Sequence, residues 1–346
     1  MKIIHTADIH LDSPLCGVAD SRQRRAELLL ALSNMSKYAN NSGVKAIIIA
    51  GDLFDDQFVT AQTITSVAQI VAESNAAWYV LRGNHGDMSP YMELKRQCPA
   101  VNFFGEEWTN YDLGENVALT GRELGVNDAE HWQKLSLNPQ NFNILVLHGD
   151  IDDDTYGQID KKAISAQPIQ YVALGHRHAF AKHSFGRVAG AYSGVLEARG
   201  FDELAPAGFV VLDTNAKKLE FVSHPIRRVE TLQIDVSAVT TEFQLESLID
   251  DSVSKVSADN YLNVVFCGQL AENVRLDAVA SAKLKNRFFA LRMQNNTTPK
   301  FDVEELKKEV SLRGEFVKLA LALPDETQRN EVLRLGLLAL SGEELK

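Results

Sequence analysis

Five short polar clusters in this chain carry residue types that bind divalent cations. Asp8 and His10 are separated by one residue. Asp52 and Asp55 follow Gly51, Asn84 and His85 follow Gly83, His148 precedes Gly149, and His176 and His178 follow Gly175. Carboxylates supply charge to hold such ions, and neutral imidazoles favour transition metals over magnesium or calcium. Two ions about 3.5–4 Å apart would clamp a phosphate, orient it and generate a hydroxide nucleophile. A carboxylate lying between them would bridge the pair. The chemistry implied is phosphoester hydrolysis.

Taken singly, each cluster has an ordinary reading. Asp8 and His10 alone suit a turn and a surface histidine, and Gly51-Asp52 suits the end of a strand. Asn84 alone would be a turn residue, and His148 a hydrogen-bonded histidine near a sheet edge. Paired histidines after a buried strand, as at 176 and 178, have few structural uses. The five together, in this order, are hard to assemble by accident.

Each cluster follows an apolar run that reads as a strand. These runs are residues 2–7, 46–50, 78–81, 144–147 and 171–174. In open α/β sheets, sites form at the carboxyl ends of the strands, so five distant segments can deliver side chains to one crevice. Gly51, Gly83 and Gly175 permit close backbone approach there. Helical periodicity marks residues 22–39 and 60–73. Further strands are expected at 101–104 and 117–120. Residues 187–192, 208–213 and 219–223 read as antiparallel strands without helices between them. The fold class is α/β, with central mixed sheets flanked by helices.

Three parts are expected. Residues 1–226 form the domain that carries the clusters. Residues 227–298 read as β-α-β-α-β, a small α/β capping domain closed by the polar stretch 295–299. Residues 299–346 are helical, with a start signal at Pro324-Asp325 and Gln328 three residues beyond. Val332, Leu333, Leu335, Leu337, Leu338 and Leu340 then need an apolar partner, which is either the chain itself or a helix of another protein.

The chain has 346 residues, 45% of them apolar and 23% charged, as in soluble globular proteins. No apolar run approaches a membrane span, and the start of the chain does not read as a signal peptide. Cys16, Cys98 and Cys267 are scattered and read as reduced thiols of a cytoplasmic protein. A formal charge of −11 argues against a general nucleic-acid binder. Two divalent ions and a local surface of Arg22, Arg24, Arg25, Arg82 and Arg177 would offset it near the clusters.

At these residues the sequence resembles the calcineurin-like metallophosphoesterases, whose motif set is DxH, GDxxD, GNH, a lone His and GHxH. Residues 5–14 (HTADIHLDSP) and 51–55 (GDLFD) resemble the SbcD-type DNA repair nucleases, and the Leu-Asp-Ser-Pro run their YhaO-like branch. The resemblance implies a layered calcineurin-like phosphoesterase fold and two divalent metal ions, generally manganese, with iron or zinc as alternatives. It implies that Asp8, His10, Asp52 and His178 hold one ion and that Asp52, Asn84, His148 and His176 hold the other. His85 would protonate or stabilise the leaving oxygen. The family usually has an acid directly after that histidine. Here Gly86 stands there, and Asp87 is the candidate orienting acid.

The partners implied are DNA as substrate and an SbcC-like (YhaN-like) coiled-coil ATPase gripped by the C-terminal helices. A homodimer is also implied, with helix 22–38 as its candidate interface. The leading expectation is therefore one component of a DNA repair exonuclease or endonuclease. The alternative is a metallophosphatase or phosphodiesterase acting on nucleotides or phosphoproteins, for which Arg82 before Gly-Asn-His speaks. A third reading, a non-catalytic binding protein that keeps its metals for structure, rests on Gly86.

Overall fold

The computed structural model describes residues 1–15, 20–55, 59–84, 87–124, 129–151 and 157–340. The chain divides into two compact units, Met1–Val229 and Glu230–Lys346. In the first, the elements run β1 (Lys2–Thr6), α1 (Ser21–Ser42), β2 (Ala46–Ala50), α2 (Ala61–Ala72), β3 (Ala77–Leu81), α3 (Met88–Gln97) and β4 (Asn102–Phe103). Then come β5 (Thr109–Asp112), β6 (Val117–Gly121), α4 (Ala129–Lys134), β7 (Phe142–His148), α5 (Lys161–Ala166) and β8 (Tyr171–Gly175). The unit ends with β9 (Ala181–Phe185), β10 (Val188–Tyr192), β11 (Gly208–Asp213) and β12 (Lys218–Ser223).

These strands form two six-stranded sheets, ordered β12-β11-β1-β2-β3-β4 and β5-β6-β7-β8-β10-β9. Side chains alternate across a strand, so each central strand feeds two cores. Ile47 and Ile49 of β2 pack with Leu28, Leu32 and Val67 from α1 and α2. Ile48 and Ala50 of the same strand face the other way, into a core shared with Ile144 and Val146 of β7. Leu145 and Leu147 of β7 face outward again, toward Ile164 of α5. The first unit is thus two mixed sheets packed face to face with helices outside, as the strand–helix alternation predicts.

Helix α1 shows how local signals set the frame. Asp20 caps it by accepting from the Gln23 N–H at 2.9 Å, and Gly43 ends it in the left-handed region at φ 68°. Its buried stripe includes Arg24, which is 0% exposed. Arg24 donates to Glu27 at 2.9 Å, to Glu197 at 2.6 Å and to the Ala198 carbonyl. Arg227 clasps Glu27 from the other side at 2.6 and 2.8 Å. Glu197 also accepts the backbone N–H groups of Ile226 and Arg227. This buried network ties α1, residues 197–198 and the end of the first unit together. It also takes Arg24 out of the expected basic surface.

Two sequence expectations need correction. Residues 187–192 are not a purely antiparallel strand, because β10 runs parallel to β8 and antiparallel to β9. Strand β9 exposes Lys182 and Ser184 on one face and turns His183 to the other, against Tyr192, which hides it from an apolar pattern. The polar stretch 295–299 is not a closing loop. It belongs to β15 (Ala290–Lys300), which pairs with β14 (Tyr261–Ala271) up to the register Ala271↔Lys300. Backbone hydrogen bonds need no apolar side chains, and Asn295, Asn296 and Thr298 are exposed at this end of the strand.

The second unit begins with β13 (Val229–Asp235), which joins β14 and β15 in a three-stranded sheet. Helices α6 (Glu242–Val253) and α7 (Leu276–Leu284) pack on it through Leu245, Ile249, Val279 and Leu284, against Ile234, Leu262 and Val264. Three helices follow: α8 (Val303–Leu306), α9 (Leu312–Leu321) and α10 (Glu326–Leu340). Asp325 caps α10 by accepting from Gln328 N–H at 2.7 Å. Leu333 and Leu337 bury against Leu306, Val317 and Ala320, so part of the leucine-rich face is covered by its own chain. Leu312 and Leu319 stay exposed at 75% and 73%. No helix among the described residues is long and apolar enough to cross a membrane.

One buried histidine in the first unit sets a pH dependence. His5 of β1 is fully buried; its Nε2 lies 3.1 Å from the Leu174 carbonyl and its Nδ1 2.8 Å from the Tyr171 hydroxyl. A carbonyl only accepts, so Nε2 carries the proton and Nδ1 accepts from Tyr171. That is a satisfied neutral ring. Burial lowers its pKa to about 3, with the Leu174 hydrogen bond opposing only in part. The unfolded chain protonates near pH 6.5. The contribution of His5 is therefore complete above that pH and is lost as pH falls from there toward 3. Between about pH 6.5 and about pH 5 the wild type should lose about 2 kcal/mol more than His5→Gln. Urea unfolding of both proteins at these pH values checks this, and parallel pH slopes would contradict it.

Candidate metal centre

The five clusters converge at one edge of the sandwich. Strands β1, β2 and β3 run parallel in one sheet, and β7 and β8 run parallel in the other. Asp8 and Asp52 lie just beyond β1 and β2, and Asn84 beyond β3. His148 closes β7, while His176 and His178 follow β8. The sheets meet here through specific contacts. The His176 backbone N–H donates to both Asp8 carboxylate oxygens, at 3.0 and 3.1 Å. His148 Nδ1 lies 2.8 Å from the Ala50 carbonyl. Asn84 Oδ1 stands 2.7 Å from His148 Nε2 and 3.2 Å from His176 Nδ1.

The backbone is distorted to achieve this. Asp8, His10, Asp52 and His176 all have positive φ, at 52°, 47°, 52° and 103°. Each such residue costs about 1–3 kcal/mol and persists only where its surroundings enforce it. The enforcing bonds run across the loops: Asp8 N–H to Gly51 O at 3.1 Å, and Ile9 and His10 N–H to Asp52 O at 2.9 and 3.0 Å. Two glycines are required by space as well as by φ. A Cβ on Gly51 (φ 106°) would overlap the His148 ring, and one on Gly83 (φ 97°) would overlap the Asp52 carboxylate.

The floor of the site is buried: Asp8, Asp52 and His148 are 1% exposed and His10 is 2%. Asn84, His176 and His178 form a more open rim. Asp8, His10 and His178 bring ligand atoms within 4.8 Å of one another, and so do Asp8, Asp52 and His148. Asp52 Oδ2 lies 3.8 Å from His10 Nε2 and 3.2 Å from His148 Nε2, between the two groups.

This donor set fits a cation. The Ala50 carbonyl takes the proton of His148 Nδ1, which leaves Nε2 of the neutral ring with a lone pair for a cation; without one, a proton on Nε2 is donated to Asp52. That lone pair, Asp52 Oδ2 and Asn84 Oδ1 converge on one point. Acceptors that converge in a buried space need a positive charge between them. The titration of the site reports the same pressure. Burial pushes the Asp8 carboxyl up to about 6; His148 and His178 oppose this and the charge of Asp52 adds to it. Burial disfavours a charged His148, yet its hydrogen bond to Asp52 and the charges of Asp52 and Asp8 raise its pKa. His176 is shifted down, by burial and then by neighbouring His148.

His85 and Gly86 lie outside the described residues. Asp87 is exposed and accepts from the Ser89 hydroxyl at 3.0 Å at the start of α3. Arg82 is paired with Glu123 at 2.6 and 3.1 Å, and Arg177 with Asp150 at 2.7 and 2.9 Å. Both were expected to add to a basic surface, and both spend their guanidinium on a carboxylate instead. Sequence reasoning also misses Glu203, whose Oε1 is 3.0 Å from His178 Nδ1. No motif surrounds Glu203, and nothing short of the folded loop brings it to the site.

Two sheets that present buried carboxylates and imidazoles at a shared edge define the class of metal-dependent phosphoesterases. Residues 1–187 match the calcineurin-like phosphoesterase family, more than half of the 346 residues, and the chain belongs to that family. Membership supports a hydrolase of phosphoesters. Its relatives are distant. An uncharacterized metallophosphoesterase of Bacillus subtilis, YhaO, is 24% identical over 280 residues, 74% of this chain and 68% of that protein. The DNA double-strand break repair protein Mre11 of Methanosarcina mazei is 22% identical over 362 residues, 97% of this chain and 55% of that protein. This chain therefore spans about half the length of the Methanosarcina protein. The SbcD polypeptide of the SbcCD nuclease of Staphylococcus epidermidis is 24% identical over 310 residues, 76% of this chain and 78% of that protein.

Because Asp52 lies between the two groups of ligand atoms, Asp52→Asn should separate metal binding from folding. Without metal, the variant should be at least as stable as the wild type, since one buried charge is gone. With manganese at a hundred times its Kd, the wild type should gain about 2.7 kcal/mol and the variant almost nothing. Thermal unfolding with and without added Mn²⁺ reads both effects. An equal gain in the two proteins would remove Asp52 from the centre.

Proposed function

We propose that this protein is a two-metal phosphodiesterase that cleaves DNA, working with an SbcC-like ATPase. The observation that carries the proposal is the single cluster built from five strand ends around two buried carboxylates. The DNA repair and nuclease relatives, at 22% and 24% identity, support the choice of substrate. In this reading Asp8, His10, Asp52 and His178 hold one ion. Asp52, Asn84, His148 and His176 hold the other, and Asp52 bridges. Manganese is the ion proposed because the resembled family generally uses it, with iron or zinc as the alternatives that imidazole ligands also suit. Such ions, when bound, polarise the phosphate and supply a hydroxide nucleophile.

The chain's own residues do the rest. The buried floor fixes the carboxylates, and the open rim of Asn84, His176 and His178 admits a phosphodiester. His85 is assigned the proton for the leaving oxygen, and Asp87 remains the candidate that orients it. The α/β segment 227–298 is proposed as a cap over the substrate. The helices from 299 onward are proposed to grip the ATPase, and the exposed Leu312 and Leu319 of α9 are consistent with that. A pair of copies joined through α1 and a cytoplasmic location complete the proposal. The alternative substrates, nucleotides or phosphoproteins, lose one support because Arg82 is paired with Glu123.

The protein with Mn²⁺ should degrade linear or single-stranded DNA and prefer bis-p-nitrophenyl phosphate to the monoester. His85→Ala should lower turnover by about 10²–10⁴-fold while the bound metal stays unchanged. A clear monoester preference would overturn the nuclease reading. Full activity in His85→Ala would overturn the role of His85.

A further inference from the structure

His178 is held from behind by a pair of residues that no motif marks. Its Nδ1 lies 3.0 Å from Glu203 Oε1 and 3.2 Å from Arg199 Nη2. Arg199 donates to Glu203 Oε1 through Nη2 at 2.5 Å and Nε at 2.9 Å. The Arg199 backbone N–H reaches the other oxygen, Oε2, at 2.6 Å. A guanidinium has donors only and a carboxylate only accepts. Nη2 of Arg199 carries two hydrogens and directs one of them at Oε1. An unprotonated Nδ1 only 3.0 Å from Oε1 would set two acceptors against each other, so the arrangement the geometry favours puts the imidazole proton on Nδ1 and donates it to Glu203. Nε2 then keeps its lone pair, and it is the nitrogen left to join Asp8 and His10, whose ligand atoms cluster with that of His178.

The support is rigid. Glu203 is 8% exposed, so its carboxylate exchanges little with water. Arg199 follows directly on Glu197 and Ala198, which are fastened to fully buried Arg24. The segment is thus anchored at one end to α1 and at the other to His178. We propose that Glu203, locked in place by Arg199, is a positioning residue that fixes the tautomer and ring orientation of His178 for one of the two metal ions. This rests on the metal-centre reading above. Outer partners of this kind are the usual means of orienting a ligating histidine.

The test is Mn²⁺ binding to the full chain by titration calorimetry, with the visible spectrum of the Co²⁺-loaded protein as a second readout. The wild type should take up two ions. Glu203→Leu should weaken one of them by about 10–100-fold, leave the other nearly unchanged, and shift the Co²⁺ bands. Glu203→Gln keeps the volume and an accepting oxygen but not the charge, so it should weaken the same ion by less. A purely structural Glu203 would lower the melting temperature and leave both affinities and the spectrum as in the wild type. That result in either folded variant overturns the proposal, and Glu203→Gln decides alone if Glu203→Leu does not fold. A wild type that takes up no Mn²⁺ overturns the metal reading itself, and this inference with it.

Discussion

The constraint on which the first unit depends is the burial of two carboxylates side by side at the edge of a β-sandwich. Asp8 and Asp52 are each 1% exposed, and water cannot screen them. Everything around them answers that cost. The His176 backbone N–H donates to Asp8, and the Arg82 carbonyl fixes the Asp52 backbone at 2.7 Å. Imidazoles from both sheets surround the pair, and their lone pairs add to the acceptor density instead of cancelling it. So many converging acceptors are relieved by protons or by a bound cation, so metal binding at this edge would add directly to the stability of the fold.

That constraint reaches into the backbone. Four residues of the site take left-handed conformations, and two glycines leave room that a single methyl group would fill. None of this serves the hydrophobic core, which is complete without it: Ile47 to Ile49 and Ile144 to Leu147 pack from both faces of their strands. The strain is confined to the loops just past the strand ends. Rigid strands on one side and bent loops on the other let side chains from five distant segments meet within a few ångströms.

Much of this was legible in the sequence, because the features that build it are local. Short continuous apolar runs marked the central strands, and Asp325 stands at the helix start that Pro324-Asp325 signals. The clusters at 8–10, 51–55, 83–85, 148 and 176–178 could be read as one set because each follows such a run. What was not legible depends on non-local pairing. Residues 295–299 look like a loop until β14 is laid beside them. Arg24 is a charged residue in a helix, and only Glu27, Glu197 and Arg227 explain why it lies at the centre of the fold. Glu203 sits 25 positions beyond His178 (203 − 178), in a stretch whose composition says nothing.

The arginines sharpen the question of how an acidic chain would hold a polyanion. Five of them flank the clusters in sequence, and a basic rim would be the simplest answer to a net charge of −11. The structure uses three of the five otherwise. Arg24 is buried among glutamates, Arg82 is clasped by Glu123, and Arg177 by Asp150. Arg199, near the rim, is committed to Glu203. Each pair is close to neutral from a distance, so it organises the site without attracting phosphate over a long range. The strongest positive charge available to a substrate would then be the ions themselves, set into a floor whose carboxylates they neutralise. Recognition on those terms favours the phosphate being attacked over the rest of the substrate. It leaves contacts along a longer chain to surfaces other than this rim.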